Sequence, residues 1–113
     1  MKEALQTYDI QSVLAANQAF HFEIYSASSY PQLLDIISNL WLRTGPFLAT
    51  VQQDRELFDR VFEIGYKVHN RAIEAIAQGD RKSARRAIAL DIRAAHIWIR
   101  QYHNALNQPA NDK

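Results

Sequence analysis

The 113-residue chain contains no cysteine, which excludes disulfide bonds, thiol catalysis and zinc sites built from thiolates. Its three glycines and three prolines are too few for a fold rich in turns and short strands. No apolar run approaches the roughly 18 residues of a membrane span, and the N-terminus lacks a signal-peptide core. A formal net charge of +1 gives no electrostatic reason to expect nucleic-acid binding. These absences predict a cytoplasmic protein without strands.

What the sequence does contain is apolar residues, 48% of the chain, which recur at intervals of three and four. This spacing predicts an all-α fold, an antiparallel bundle of about five helices with short loops. The predicted helices cover residues 2–8, 10–28, 31 to about 44, about 54–78 and 81 to about 107. We expect residues 1–107 to form a single domain and 108–113 to form a frayed tail.

Four local signals set these boundaries. Asp9 and Asp80 are suited to cap the second and fifth helices at their N-termini. Gly79 suits the position just after the fourth helix, where a left-handed backbone conformation is common. The pair Gly45-Pro46 either ends or kinks the third helix.

Polar residues interrupt the apolar stripes of three predicted helices near their centres. Asn17 and His21 lie one turn apart on the second helix, and Asp91 lies mid-stripe on the fifth. The stripe of the fourth helix consists of Phe62, Gly65, His69, Ile73 and Ile76. Two imidazoles, a carboxylate and an amide oxygen are a suitable ligand set for a divalent ion of the zinc, nickel or manganese type. The alternative is that these buried groups only satisfy one another.

Arg43 is a fourth interruption, because it continues the predicted stripe of Ile36 and Leu40. A guanidinium there is suited to clamp a ligand carboxylate with two parallel hydrogen bonds. The alternative is a surface arginine that complements the negative end of the helix dipole.

The remaining histidines and the known catalytic motifs point to no further site. His96 and His103 share a face of the last helix that diverges from Asp91, so we expect them on the surface or at an interface. No nucleophile elbow, phosphate-binding loop or zinc-protease motif is present. No catalytic residue is predicted, and no tyrosine is singled out.

Four motifs carry a further pattern, and the second and third of them have two parts each. They are NQAFHFEIYSAS at 17–28, YPQLL and LWLR at 30–34 and 40–43, HNRAIEAI at 69–76 with Gly79-Asp80 after it, and 84–92. In this order and spacing they resemble the FCD domain, the all-helical effector-binding domain of GntR-family transcriptional regulators of the FadR subgroup. The resemblance covers about residues 3–105.

The resemblance implies a metal site at the centre of the bundle. In the family pattern, an Asp and a His one turn apart and two later His residues bind the ion. The matching positions hold Asn17, His21, His69 and Asp91 here, so an amide replaces the Asp and a carboxylate replaces one His. The resemblance also implies that Arg43 contacts the carboxylate of a small organic acid, which the metal anchors as a Lewis acid.

The resemblance finally implies a function, namely a ligand-sensing and dimerisation domain rather than an enzyme. We expect a homodimer that binds a small carboxylate effector and contacts no membrane. DNA would be bound only through an N-terminal winged helix-turn-helix, which is missing along with the opening helices, so we expect an incomplete FCD-like domain. Two alternatives are a metal-dependent enzyme using the same cluster and a purely structural dimerisation module.

Overall fold

The computed structural model of the chain describes residues 1–7, 9–51 and 53–108. Within these ranges the backbone forms five α-helices and no β-strand. Their bounds are α1 Lys2–Gln6, α2 Ile10–Ser26, α3 Pro31–Val51, α4 Arg55–Ala77 and α5 Arg81–Leu106. The predicted all-α class with about five helices is confirmed.

The chain divides into two compact units, Met1–Tyr66 and Lys67–Lys113. The first unit holds α1, α2, α3 and the first half of α4, and the second holds the rest of α4 and α5. That residues 1–107 form a single domain stays a prediction. Of the predicted tail 108–113, only Gln108 lies within the described residues.

In the first unit, α2 begins at a capping aspartate and packs against α1 and α3. Asp9 accepts hydrogen bonds from the Ser12 backbone N–H at 3.1 Å and from the Ser12 hydroxyl at 2.7 Å. The hydroxyl bond, followed by the backbone bond, lowers the pKa of Asp9 because both stabilise the carboxylate. The predicted cap is confirmed, although α2 ends at Ser26 rather than at residue 28. Tyr8, the predicted end of the first helix, lies outside the described residues.

Helix α3 begins at Pro31 as predicted but continues through Gly45-Pro46 to Val51. The prediction that it ends near Thr44 is wrong. A proline inside a helix removes one backbone hydrogen bond and crowds the preceding turn, a cost of about 3 kcal/mol. The rest of a long helix can outweigh that loss, and local sequence signals do not reveal this balance.

The face of α3 that packs on α2 also differs from the predicted one. Trp41 lies against Phe22 of α2 in an edge-to-face contact, with ring centroids 5.3 Å apart. Ile36 and Leu40, which define the predicted stripe, are 57% and 56% exposed. Among the side chains of α3 that the structure describes, up to Gly45, the half-buried apolar ones are instead Leu34, Ile37 and Trp41. The face that contains Trp41 packs on α2, because burying a large aromatic ring removes more apolar area from water than burying an aliphatic side chain.

Helix α4 begins at Arg55. The preceding residue, Asp54, accepts a hydrogen bond from the Leu57 N–H at 3.0 Å. Its first half contributes the buried pair Phe58 and Phe62, whose rings lie 4.7 Å apart in a tilted contact. Both side chains belong to the buried apolar core of the protein.

In the second unit, a tight reversal joins α4 to α5. Gly79 has a φ of +70°, its N–H bonds the Ile76 carbonyl at 3.0 Å, and the Asp80 N–H bonds the Ala75 carbonyl at 2.8 Å. Asp80 accepts a hydrogen bond from the Ser83 backbone N–H at 3.0 Å, the main cause that lowers the pKa of Asp80. The predicted roles of Gly79 and Asp80 are both confirmed.

The buried face of the second half of α4 consists of Val68, His69, Ala72 and Ala75. Ile73 and Ile76, which belong to the predicted stripe, are 51% and 53% exposed. The prediction that these two isoleucines face the interior is wrong. It followed from hydrophobic periodicity, in which an isoleucine counts as more apolar than an alanine. Alanine faces the interior here, and its small side chain permits a close approach of neighbouring backbone.

Candidate functional site

The second unit contains a buried pair of polar side chains from two helices. His69 of α4 is 4% exposed, and Asp91 of α5 is half-buried. The His69 Nε2–H donates to Asp91 Oδ2 at 3.0 Å. Both residues were predicted as polar interruptions of apolar stripes, and the structure brings them together.

The reversal between α4 and α5 allows this contact. Gly79 and Asp80 end one helix and start the next, so the two helices are joined directly. Ala72, one turn after His69, and Ala87, one turn before Asp91, are both buried apolar residues. In such surroundings an unpaired carboxylate or imidazolium is costly, and each group of the pair satisfies the other.

The pair has two chemical uses. As it stands, it is a hydrogen-bonded and charge-compatible core contact. An imidazole nitrogen and a carboxylate oxygen are also donor atoms that zinc, nickel and manganese ions accept. The residue types therefore suit a divalent metal, and the contact explains how the same groups remain satisfied without one.

The first unit contains the other buried histidine. His21 of α2 is 7% exposed, and its Nδ1 lies 3.0 Å from the Tyr25 hydroxyl one turn later. Trp41 of α3 packs on the imidazole with ring centroids 5.6 Å apart, and Phe20 meets it edge-on at 5.3 Å. The aromatic contacts with Trp41 and Phe20 and the polar contact with Tyr25 all restrain the ring.

The other predicted site residues are more exposed than His21 and His69. Asn17 is half-buried on α2, one turn before His21, so both can point in the same direction. Arg43 is exposed on α3. Two predictions about these residues stay predictions. One is that a single metal ion binds Asn17, His21, His69 and Asp91, and the other is that Arg43 binds a carboxylate. His96 and His103 are exposed, as predicted.

Tyr25 is the residue near a candidate ligand that sequence reasoning left unassigned. Its position four residues after His21 is a usable signal, because side chains at that spacing meet on a helix. The same spacing occurs by chance between many polar residues, so the signal alone does not select Tyr25.

The comparisons with known proteins give one match. A sequence model of the FCD domain matches residues 1–94. No curated protein and no solved structure matches the chain. Among the described residues, no helix combines the length and the apolar content that crossing a bilayer requires.

The match covers most of the chain and includes the positions of all four candidate metal ligands and of Arg43. It therefore confirms the resemblance inferred from the four sequence motifs. The chain belongs to the FCD domain family, whose members are effector-binding regulatory domains of GntR-type transcriptional regulators.

Proposed function

We propose that this chain senses a small organic acid for a GntR-type transcriptional regulator, and that a divalent metal ion anchors the acid. The observation that supports the proposal most directly is the buried contact of His69 Nε2 with Asp91 Oδ2 at 3.0 Å. Both side chains offer metal-ligating atoms, and both occupy positions at which the family resemblance implies ligands. A buried pair of this kind at such positions is suited to exchange its mutual hydrogen bond for a shared metal ion.

The proposed ligand set is completed by His21 and Asn17 of α2. It contains two imidazoles, one carboxylate and one amide, and therefore carries the same single negative charge as the family pattern of one Asp and three His. Compared with the family pattern, the carboxylate ligand is supplied by residue 91 rather than by residue 17. Nitrogen and oxygen donors in this mixture suit zinc, nickel or manganese, and the residues present fit such an ion.

When bound, the ion would supply a Lewis-acidic anchor for the carboxylate of the effector. Arg43 is the proposed second anchor, because a guanidinium forms two parallel hydrogen bonds with a carboxylate. In a regulator that carries DNA-binding domains, an effector acts by favouring one of their arrangements over another. The chain's own residues bind and orient the acid, and no bond in the acid is broken.

Metal binding is tested by titrating chelator-free, untagged protein with Zn²⁺, Ni²⁺ or Mn²⁺ in a calorimeter. We expect one ion per chain. His69→Ala and Asp91→Ala should each weaken binding by about 100-fold or more, because losing even an outer-shell partner costs roughly 10- to 100-fold. His96→Ala is the matched control, since it removes an exposed histidine from α5 and should leave binding unchanged. Absence of stoichiometric binding by the wild-type chain would refute the proposal.

Effector binding is tested with the metal-loaded chain and two probes, the dicarboxylate succinate and the sugar acid gluconate. We expect at least one of these acids to bind, and Arg43→Gln to weaken its binding by about tenfold, the cost of losing about 1.4 kcal/mol of a charge-assisted contact. Recovery of the acid chemically unchanged supports a sensor, whereas turnover would favour a metal-dependent enzyme. If neither metal nor acid binds, the purely structural dimerisation module is favoured.

A further inference from the structure

The polar contact between His21 and Tyr25 has no part in the ligand set described above. The Tyr25 hydroxyl lies 3.0 Å from Nδ1 of the imidazole, within hydrogen-bonding distance. Both residues belong to α2 and are four positions apart, so the helix itself sets the contact. The contact lies entirely within the first unit of the chain.

This contact distinguishes the two nitrogens of the imidazole. A neutral imidazole has one nitrogen that carries a proton and one that carries a lone pair, and only the lone pair binds a metal ion. A ligating histidine commonly donates its other N–H to a nearby oxygen, which fixes both the tautomer and the orientation of the ring. The Tyr25 oxygen stands where it can accept such a bond from Nδ1–H.

The apolar neighbours of the ring cannot perform this role. Trp41 and Phe20 restrict the rotation of the imidazole by packing at centroid distances of 5.6 Å and 5.3 Å. Neither ring presents an oxygen, so neither can accept a hydrogen bond from Nδ1–H. Tyr25 provides the chemical discrimination and the aromatic rings provide the steric restraint.

We infer that Tyr25 is a positioning residue, whose hydroxyl accepts a hydrogen bond from His21 Nδ1–H and thereby presents Nε2 to the metal ion. The inference rests on the proposed metal site and names a residue outside its ligand set. Removal of the hydroxyl takes this hydrogen bond away and weakens the preference for the Nδ1–H tautomer. Metal affinity then falls even though every ligand is still present.

The test compares wild-type protein with Tyr25→Phe, which removes one oxygen atom and keeps the aromatic ring. Tyr30→Phe is the matched control, because Tyr30 is 68% exposed and follows the same helix. Zn²⁺ affinity is measured by calorimetry, and ¹⁵N NMR of the imidazole identifies which nitrogen of His21 binds the metal. Urea unfolding of the metal-free proteins measures any change in stability separately.

In the wild-type protein, we expect Zn²⁺ on Nε2 of His21 and a proton on Nδ1. We expect Tyr25→Phe to weaken Zn²⁺ binding by about tenfold or more, and Tyr30→Phe to leave it unchanged. Equal affinity of wild type and Tyr25→Phe, or Zn²⁺ bound through Nδ1, would overturn the inference and leave the proposed metal site intact. A wild-type chain that binds no Zn²⁺ would overturn the metal site itself.

Discussion

At the scale of single residues, two of the four histidines are buried, and each has a polar partner of a different kind. His69 contacts the carboxylate of Asp91, whereas His21 contacts the hydroxyl of Tyr25. A carboxylate is itself a strong metal ligand, and a neutral phenol is better suited to orient a ligand. The difference between the partners is the physical reason for assigning Asp91 to the ligand set and Tyr25 to its support.

A single backbone conformation gives the first prediction at this scale. Ser29 has a φ of +61°, in the left-handed region, where a side chain costs about 1 kcal/mol or more. Ser29→Gly should therefore raise the free energy of unfolding by about 0.5 kcal/mol, after the greater freedom of glycine in the unfolded chain offsets part of the gain. Urea unfolding followed by circular dichroism measures the change.

Ser28→Gly is the control for this prediction. Ser28 does not have a positive φ, and its hydroxyl donates to the Tyr25 carbonyl at 2.6 Å. Glycine there loses this bond and gains only unfolded-state freedom, so the stability should fall. A stabilising effect of Ser28→Gly as large as that of Ser29→Gly would contradict the conformational explanation.

Sequence reasoning found the buried histidines and missed the contact of Tyr25 with His21 for one reason. A histidine within an apolar stripe stands out because burying it is costly, and His21 and His69 are both buried as this argument requires. A tyrosine fits an apolar stripe without conflict, so its sequence context carries no such signal. Only coordinates show that its oxygen lies beside the imidazole.

At the scale of helices, the boundaries marked by capping residues were predictable from the sequence. The continuation of α3 through Pro46 was not. Asp9, Asp80 and Gly79 act through hydrogen bonds to residues a few positions away, so local sequence determines their effect. Whether α3 continues past Pro46 depends on the balance between one lost bond and the stability of the whole helix. The packing faces of α3 and α4 likewise depend on neighbouring helices.

Two glycines of opposite character give a prediction about α4. Gly65 lies within the helix and Gly79 just beyond its end. Apart from the adjacent residues and the helix's own backbone, a Cβ at either position would meet no atom within 4 Å. Gly65→Ala should stabilise the chain by roughly 0.5–1 kcal/mol, because alanine is the better helix former. Gly79→Ala should destabilise it by about 1 kcal/mol, because the φ of +70° is unfavourable for alanine. Denaturant unfolding of both variants checks the opposite signs.

The cap of α5 gives a prediction about pH. The pKa of Asp80 is lowered from its ordinary value of 3.8, chiefly by the backbone hydrogen bond from Ser83. A group whose pKa is lower in the folded state contributes stability above its unfolded pKa, and this contribution is lost as the pH falls through the folded pKa. Wild type should exceed Asp80→Asn in stability at pH 7, and the difference should shrink as the pH falls below about 4.

Asp80→Ala supplies the control for this pH dependence. Neither asparagine nor alanine titrates, so the stability difference between these two variants should stay constant across the same pH range. Urea unfolding at several pH values measures all three proteins. A difference between wild type and Asp80→Asn that is independent of pH would show that the charge of Asp80 does not contribute to the cap.

At the scale of the whole molecule, α3 exposes apolar side chains that a second chain is suited to cover. Leu33, Ile36 and Leu40 are each at least 50% exposed and follow helical spacing. Exposed apolar stripes of this kind favour self-association, as the homodimer expected from the sequence requires. We expect light scattering to give twice the chain mass of 13.0 kDa at high concentration. A mass of one chain across a full dilution series would contradict the homodimer.

The last prediction concerns the linkage of metal binding to the stability of the whole chain. An ion that binds only the folded chain stabilises it by an amount that grows with the ion concentration, about 2.7 kcal/mol at 100 times the Kd. Zn²⁺ at that concentration should therefore raise the free energy of unfolding of the wild-type chain by about this amount, and His69→Ala should lose most of the gain. His96→Ala should keep it, because that histidine is exposed. If His69→Ala gained as much stability from Zn²⁺ as wild type, the ion would be binding elsewhere, and the buried contact of His69 with Asp91 would be a core interaction alone.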